Sequence, residues 1–210
     1  MIDIADQLKA IGRKVGRNTT TSGETVSVLV ERTCEADVAD VWDAITDPER
    51  LRRWFLPVSG DLQVGGRFQL EGNAGGEILA CEAPRLLRVT FGGETSIVEV
   101  RLAPLDDERT ALELEHTVPI EMAGSGAGAL YVGPGWDLTL FALGQYCVGV
   151  VADNPVEAGN SPEGIELGRQ SVLAWRAVVE ESGIATPDEI AAAAEVSMAQ
   201  FAPGSAGGEG

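Results

Sequence analysis

The chain contains 210 residues, of which 44% are hydrophobic and 23% are charged, a composition typical of a globular protein with a sizeable core. Its 33 acidic and 15 basic residues give a formal net charge of −18, which argues against general binding to nucleic acid or anionic membranes, because both require a basic face. The three widely spaced cysteines, Cys34, Cys81 and Cys147, form no C-x-x-C pair, as is usual in a reducing compartment. Because the chain shows neither a signal-peptide pattern nor an apolar run long enough for a membrane span, we expect a cytoplasmic protein.

The first 23 residues are predicted to form a short amphipathic helix followed by a linker. Apolar residues recur at helical spacing in "IADQLKAIGRKV", namely Ile4, Leu8, Ile11 and Val15. The stretch "GRNTTTSGE" then favours a flexible connection. We expect the helix to dock on the following domain or on a second subunit, and a helix lying on a membrane surface is the alternative.

A strand and a helix are predicted after the linker. Alternation in "TVSVLVERT" predicts a strand with three inward valines, Val26, Val28 and Val30. The period then changes, because apolar residues in "EADVADVWDAITD" fall at i, i+3, i+4 and i+7, namely Val38, Val41, Trp42 and Ile45. This spacing predicts a helix with one buried face.

The segment "DPERLRRWFLP" predicts a second short helix, which Asp47 caps and a proline begins. Trp54 and Phe55 lie on its inner face, where they either pack the helix onto a sheet or contact a ligand. Arg52 and Arg53 lie at its edge, where they pair either with neighbouring carboxylates or with a carboxylate of a ligand.

Strands and a long helix are predicted to follow. Tight turns separate "RFQLEG", "EILACE", "RLLRVTF", "TSIVEVRL" and "TALELEHTV", which indicates an antiparallel meander. Helical period returns in "GPGWDLTLFALGQYCVGVV", where one apolar stripe comprises Trp136, Leu140, Leu143, Cys147 and Val150. Two further helices are predicted, one ending at Gly183 and one opened by the capping box of Thr186 and Glu189.

This order of elements predicts an α+β helix-grip fold, in which a curved antiparallel sheet wraps around the long helix. The two short helices hold sheet and helix apart at one end and leave an apolar cavity, the usual form of a small-molecule site. The predicted organisation is a helix and linker over 1–23, the helix-grip domain over 24–152, a C-terminal helical extension over 153–202 and a disordered tail over 203–210.

Five stretches carry a resemblance to a known family: "VERTCEADVADVWDAITDPERLRRWF", "GDLQVGGRFQLEG", "GGEILACEAPRLLRVTF", "TALELEHT" and "GPGWDLTLFAL". Residues 26–151 resemble the START-like superfamily (SRPBCC, Bet v 1-like), and within it the branch of activator of heat-shock-protein-90 ATPase homologue-like proteins. The terminal helices resemble those of some bacterial members. The resemblance implies the helix-grip fold, a cavity for a hydrophobic ligand and no obligate cofactor, and it carries over no shared catalytic set.

The favoured function is binding of a hydrophobic or amphipathic small molecule in this cavity, without catalysis. Burial of the apolar surface of such a ligand would drive its binding. The residues predicted to line the cavity are Trp54, Phe55, Phe68, Leu70, Leu79, Phe91, Leu114, His116, Trp136 and Leu140.

His116 is the only histidine of the chain, and its strand parity with Leu112 and Leu114 predicts that it points inward. It is either a hydrogen-bonded structural histidine or an acid-base group, and the second reading makes the protein a cyclase- or hydrolase-type enzyme. No metal site is expected, because no second histidine or acid shares this parity. Cys81, also predicted to point inward, is a weak candidate for a nucleophile.

Two further alternatives concern other partners. The stretch "GSGAGA", Gly124 to Ala129, matches G-x-G-x-x-G/A but lacks a β-α-β context, so we predict a mobile loop that gates the cavity and no dinucleotide site. A co-chaperone-like or regulatory contact through the acidic surface is the alternative to ligand binding, and a homodimer is the other protein partner considered.

Overall fold

The computed structural model describes residues 4–21 and 23–204, so most of the tail predicted to be disordered, residues 205–210, lies outside the described residues. The helices are α1 (Ile4–Lys9), α2 (Val38–Thr46), α3 (Pro48–Trp54), α4 (Ile120–Ala123), α5 (Ala129–Cys147), α6 (Pro155–Gly159), α7 (Pro162–Ser182) and α8 (Pro187–Phe201). The strands are β1 (Gly12–Thr20), β2 (Gly23–Cys34), β3 (Val58–Gly60), β4 (Arg67–Leu70), β5 (Gly75–Glu82), β6 (Leu86–Thr90), β7 (Ile97–Pro104) and β8 (Thr110–Pro119).

The eight strands form one sheet in the order β1-β2-β8-β7-β6-β5-β4-β3. From β3 to β8 each strand pairs antiparallel with the next one along the chain, which confirms the predicted meander. The combination of this antiparallel sheet with one long helix, α5, gives the α+β helix-grip fold. Across the described residues, none of the helices combines the length and the apolar composition needed to cross a membrane.

The N-terminal segment differs from its prediction. Helix α1 ends at Lys9, and residues 12–20, predicted to end the helix and begin a linker, form strand β1. This strand lies at one end of the sheet, where pairing along a single edge fixes the backbone without a strong apolar alternation in the sequence. Leu8 and Ile11 of the predicted apolar stripe are nevertheless buried.

The described chain divides into two compact units, and each is described by itself. The terminal unit comprises residues 1–30, 118–140 and 157–210, and the central unit comprises residues 31–117 and 141–156. Strand β2 and helix α5 each contribute residues to both units. The predicted division into sequential domains stays a prediction.

In the terminal unit, α7 supplies the core, because Val172, Trp175 and Val179 are completely buried. Helix α7 packs against α8 and β1. The indole ring of Trp175 lies directly on Gly133 of α5, so a side chain at position 133 would overlap it. Both predicted helix ends are confirmed, since Gly183 adopts the left-handed conformation after α7 and Thr186 forms a capping box at the start of α8.

A buried ion pair connects three elements of the terminal unit. Arg13 of β1 donates from Nε to Oδ2 of Asp137 on α5, at 2.7 Å, and the hydroxyl of Ser171 on α7 donates to the same oxygen at 2.5 Å. Burial raises the pKa of Asp137, while the guanidinium of Arg13 opposes that shift. Asp137 is fully buried, so this pair fixes the approach of β1 and α7 to α5 inside an apolar core.

Helix α5 begins at Ala129, earlier than the predicted start near Gly133, and therefore contains Pro134. Proline has no N–H and cannot donate to the carbonyl of Leu130 four residues earlier. The hydroxyl of Ser197, which is completely buried on α8, donates to that carbonyl at 2.7 Å. A side chain from another helix thus replaces the missing backbone donor, which is why the proline is tolerated inside the helix. The predicted stripe is also too long, since Val150 lies beyond the helix end and is exposed.

Candidate functional site

One face of β7 and β8 in the central unit forms an apolar surface that includes His116. In the register of these strands His116 lies opposite Val98 and Leu114 lies opposite Val100, and all four side chains are buried. Alternation places Glu113 on the other face, where it is exposed. The predicted inward orientation of Leu114 and His116 is therefore confirmed.

His116 forms a polar pair with Ser96 on this apolar face. The hydroxyl of Ser96 and Nε2 of His116 share a hydrogen bond of 2.8 Å, and both residues are buried. The ring of Phe91 lies edge-on to the imidazole, with 5.9 Å between ring centroids, and Phe91 itself is half-buried. Burial lowers the pKa of His116 to about 4, so the imidazole is neutral at pH 7.

Ser96 is the candidate site residue that the sequence analysis missed. Its signal was available, because Ser96 has the same strand parity as Val98 and Val100 and therefore points to the same face. It precedes the first residue of β7 by one position, and the sequence analysis included it in the strand "TSIVEVRL" without assigning it a role. A hydroxyl at the start of an inward-facing row of valines is the feature that predicts a partner for His116.

The aromatic segment, residues 51–55, is built on a well-capped helix. The carboxylate of Asp47 accepts from the backbone N–H groups of Glu49 and Arg50, at 2.7 and 3.1 Å, which confirms the predicted cap. Trp54 is buried, and its indole N–H donates to the carbonyl of Ala44 on α2 at 2.9 Å. The ring of Phe55 stacks on Trp54 with 5.4 Å between centroids and stays partly exposed.

Arginines of α3 surround Tyr146 at the end of α5, also in the central unit. Arg50 donates to the Tyr146 hydroxyl at 3.1 Å and to Asp40 at 2.8 Å, and the bond to Asp40 raises the pKa of Arg50. The guanidinium of Arg53 lies over the Tyr146 ring, 5.7 Å from its centroid. Arg52 pairs with Glu49 on the exposed side of the helix, as one of the two readings of the sequence expected.

The prediction that Leu79 and Cys81 of β5 point inward is wrong. Gly76 and Ile78 are the buried residues of this strand, whereas Leu79 and Cys81 are exposed. The stretch "EILACE" is apolar on both parities, so a period-two pattern does not decide between Ile78 with Ala80 and Leu79 with Cys81. The strand also shifts register against β6 between Ile78 and Ala80. Leu79 and the half-buried Phe68 instead line an open surface groove of about 820 Å³ between β3, β4, β5 and the turn after β6.

The remaining predicted ligand residues lie in two places. Leu70 is buried on β4 of the central unit. Trp136 and Leu140 are buried on α5 within the terminal unit. The structure thus brings together Phe91 with His116, Phe68 with Leu79, and Trp54 with Phe55.

The glycine-rich segment between β8 and α5 does not have the predicted form of a mobile loop. Residues Gly126–Gly128 form a buried 3-10 turn, and the hydroxyl of Ser125 caps it by accepting from the N–H of Ala127. A side chain at Gly126 would overlap the backbone carbonyl of Ile184, so the segment is held by close packing. Among the residues that the structure describes, no three His, Cys, Asp or Glu side chains are grouped to hold a metal ion.

Comparison with known proteins assigns this fold to a family. A family model described as activator of Hsp90 ATPase homolog 1-like protein matches residues 35–147, more than half of the chain. CalU16 from Micromonospora echinospora is 38% identical. Its crystal structure aligns over 81% of this chain and 98% of CalU16 with a TM-score of 0.66, and its solution structure over 82% and 96% with a TM-score of 0.67.

A more distant structure shows the same fold alone. An HSP90 activator from Plasmodium falciparum is 21% identical over 60% of this chain and 97% of its own, with a TM-score of 0.50. A search of curated protein sequences found no match. The shared architecture defines a helix-grip protein of the SRPBCC type. The chain belongs to the family of activator of Hsp90 ATPase homolog 1-like proteins.

Proposed function

We propose that the protein binds a hydrophobic or amphipathic small molecule without transforming it. The observation that carries this proposal is the Ser96–His116 pair, which lies beside the half-buried ring of Phe91 on an apolar sheet face. Small-molecule sites are typically apolar surfaces with a few polar groups that orient the ligand. The aromatic ring supplies contact area, and the polar pair supplies a hydrogen-bonding partner for a hydroxyl or carbonyl of the ligand.

The titration of His116 favours binding over acid-base catalysis. An efficient general base has a pKa near the working pH, because it must be both deprotonated and basic. Burial brings the pKa of His116 to about 4, so the imidazole is a weak base at pH 7. Trp54 and Phe55 of the central unit remain part of the proposal, whereas Leu79 does not, because it is exposed on β5.

The binding proposal is tested with 11-(dansylamino)undecanoic acid, an amphipathic fluorescent probe. We expect saturable binding to the wild type and an affinity about tenfold lower for Phe91→Ala, since loss of an aromatic contact of about 1.4 kcal/mol corresponds to that factor. Leu105→Ala, at an exposed residue in the turn between β7 and β8, is the matched control. Equal affinities of the two variants would contradict the proposed location, and absence of saturable binding would contradict the function.

The second candidate is a hydrolase, and the distance between Ser96 and His116 is the observation that favours it. A serine hydroxyl 2.8 Å from an imidazole nitrogen has the spacing of a nucleophile and its base. Hydrolysis of p-nitrophenyl butyrate measures this activity. If the protein only binds its ligand, the wild type hydrolyses the ester no faster than Ser96→Ala does. Turnover by the wild type that disappears in both Ser96→Ala and His116→Ala would establish the enzyme.

A further inference from the structure

Two cysteines meet at the ends of two elements of the central unit. Cys34 is the last residue of β2, and Cys147 is the last residue of α5. Arg32 and Cys34 share one face of β2, Gly144 and Cys147 share one face of α5, and Arg32 packs on Gly144. The two thiols are therefore close enough for each to shift the pKa of the other, although 112 residues separate them in the sequence. Cys34 is buried and Cys147 is half-buried, while Cys81 is exposed on β5. The pair is therefore assembled by the fold, and one of its two members reaches the surface.

A buried guanidinium lies beside this pair. Arg32 is two residues before Cys34 on β2, and its guanidinium packs directly against the α-carbon of Gly144, one turn before Cys147 on α5. Any side chain at position 144 would overlap that group, so the glycine is what allows the close approach. Arg32 attracts negative charge on both sulfur atoms, and Arg50 adds to this effect at Cys147 while Asp40 opposes it.

We propose that Cys34 and Cys147 are a peroxide-responsive pair that forms a reversible disulfide between the end of β2 and the end of α5. Two thiols in contact beside a guanidinium have the arrangement in which one sulfur reacts with an oxidant and the other resolves the product. This assignment is independent of ligand binding and gives the protein an oxidation site in addition to its proposed site on the sheet.

The order of reaction follows from the surroundings of the two sulfur atoms. The interaction with Cys34 lowers the pKa of Cys147, whereas the same interaction and burial raise the pKa of Cys34. Cys147 is also the more exposed of the two. Cys147 is therefore the attacking thiolate, and Cys34 is the resolving thiol.

The chemistry requires only a hydroperoxide such as hydrogen peroxide. The Cys147 thiolate attacks one peroxide oxygen, the O–O bond breaks, and the departing hydroxide takes up a proton to become water, leaving a sulfenic acid. The sulfur of Cys34 then attacks the sulfenic sulfur, so that an S–S bond forms and the S–O bond breaks. Hydroxide leaves with the proton of Cys34 as a second water. Two thiols are oxidised by two electrons, and one peroxide is reduced to two waters.

The disulfide would fix the last turn of α5 where it carries Tyr146. Arg50, Arg53 and Trp54 of the central unit all contact the ring or hydroxyl of this tyrosine. Oxidation would thus hold the aromatic segment and the helix end in one arrangement, and a dithiol reductant would release it.

The test treats the full-length protein with hydrogen peroxide, alkylates the remaining thiols and maps disulfides by peptide mass spectrometry. We expect the wild type and Cys81→Ser to lose two hydrogens and to yield one cross-linked peptide pair containing Cys34 and Cys147, which dithiothreitol reverses. We expect no cross-link in Cys147→Ser. In Cys34→Ser, whose hydroxyl keeps a donor beside the sulfur, dimedone is expected to label Cys147 as a sulfenic acid.

Three results would overturn the proposal. One is the absence of the cross-link from the wild type and from Cys81→Ser under conditions that fully oxidise the exposed Cys81 of the wild type. Another is an intramolecular cross-link that persists in Cys147→Ser. The third is dimedone labelling of Cys81 in place of Cys147 in the Cys34→Ser protein. The wild type and Cys81→Ser decide the question by themselves if the other variants fail to fold, because neither alters the buried pair.

Discussion

The hydroxyl of Ser197 is predicted to stabilise the fold because it replaces a backbone donor that Pro134 removes. Its partner, the carbonyl of Leu130, would accept from the N–H of residue 134 in an ordinary helix. Replacing Ser197 with alanine leaves that carbonyl without this donor at a position where Ser197 and Leu130 are completely buried. The change removes one oxygen atom and creates little new space, so the lost hydrogen bond dominates the effect.

The expected loss is about 2 kcal/mol in the free energy of unfolding, since a buried polar group left unsatisfied costs about 1–3 kcal/mol. For a chain of this length that corresponds to a fall of about 4–8 °C in the thermal midpoint. Pro134→Ala restores an N–H four residues after Leu130. In that background Ser197→Ala is expected to cost about 1 kcal/mol less, which is the coupling energy of a double-mutant cycle.

The measurement is thermal and urea unfolding of the four proteins of the cycle, followed by tryptophan fluorescence and circular dichroism. Ser59→Ala, at an exposed position on β3, is the control and is expected to change stability by less than about 0.5 kcal/mol. Equal costs of Ser197→Ala in the two backgrounds would refute the role assigned to Pro134. A cost no greater than that of the control would refute the role of the hydroxyl.

Three further predictions concern a buried histidine, a closely packed glycine and a helix cap. His116 has a pKa of about 4 in the folded state and about 6.5 in the unfolded state, so the unfolded state binds a proton more readily. The free energy of unfolding is therefore unaffected by this proton above pH 6.5 and decreases below it. Stability should fall by about 3 kcal/mol as the pH drops from 6.5 towards 4, and an unchanged pH profile in His116→Gln would contradict this. Gly133→Ala is expected to lower stability by about 1–3 kcal/mol through overlap with Trp175. Gly159→Ala is the control, because position 159 faces open space, and equal thermal midpoints of the two variants would disprove the overlap. Thr186→Ala should cost about 1 kcal/mol by removing a capping box, and an unaltered urea midpoint would count against it.

The parts of the fold that follow local rules were predictable from the sequence. Asp47 before a proline and Thr186 before Glu189 are short-range capping signals, and both caps form. Strand β8 alternates without interruption, so the inward direction of Leu114 and His116 could be read directly.

Non-local effects account for the errors. Strand β1 is held by backbone pairing at the sheet edge, whereas in its sequence "GRKV" continued the predicted helical spacing and "GRNTT" resembled a linker. In β5 both parities are apolar, so only packing in the folded sheet decides that Ile78 is buried and Leu79 is exposed. Helix α5 continues through Pro134 because Ser197, sixty-three residues later in the sequence, supplies the missing donor.

The candidate site was predicted in part, because strand parity gives direction but not partners. The sequence indicated that His116 points inward, yet only the structure shows that Ser96 bonds it and Phe91 lies beside it. The contact between Cys34 and Cys147 depends on how β2 and α5 end next to each other, which no spacing in the sequence encodes.

The position of β2 in the sheet has a consequence for biosynthesis. Strands β3 to β8 can pair one hairpin at a time as the nascent chain emerges, because each strand lies in the sheet beside the strand that follows it in the sequence. Strand β2 leaves the ribosome early, but its neighbour β8 is translated only after residues 35–109. Until then one side of β2 carries vacant backbone hydrogen-bonding groups, so the interval before β8 arrives is when the growing polypeptide is most exposed to mispairing.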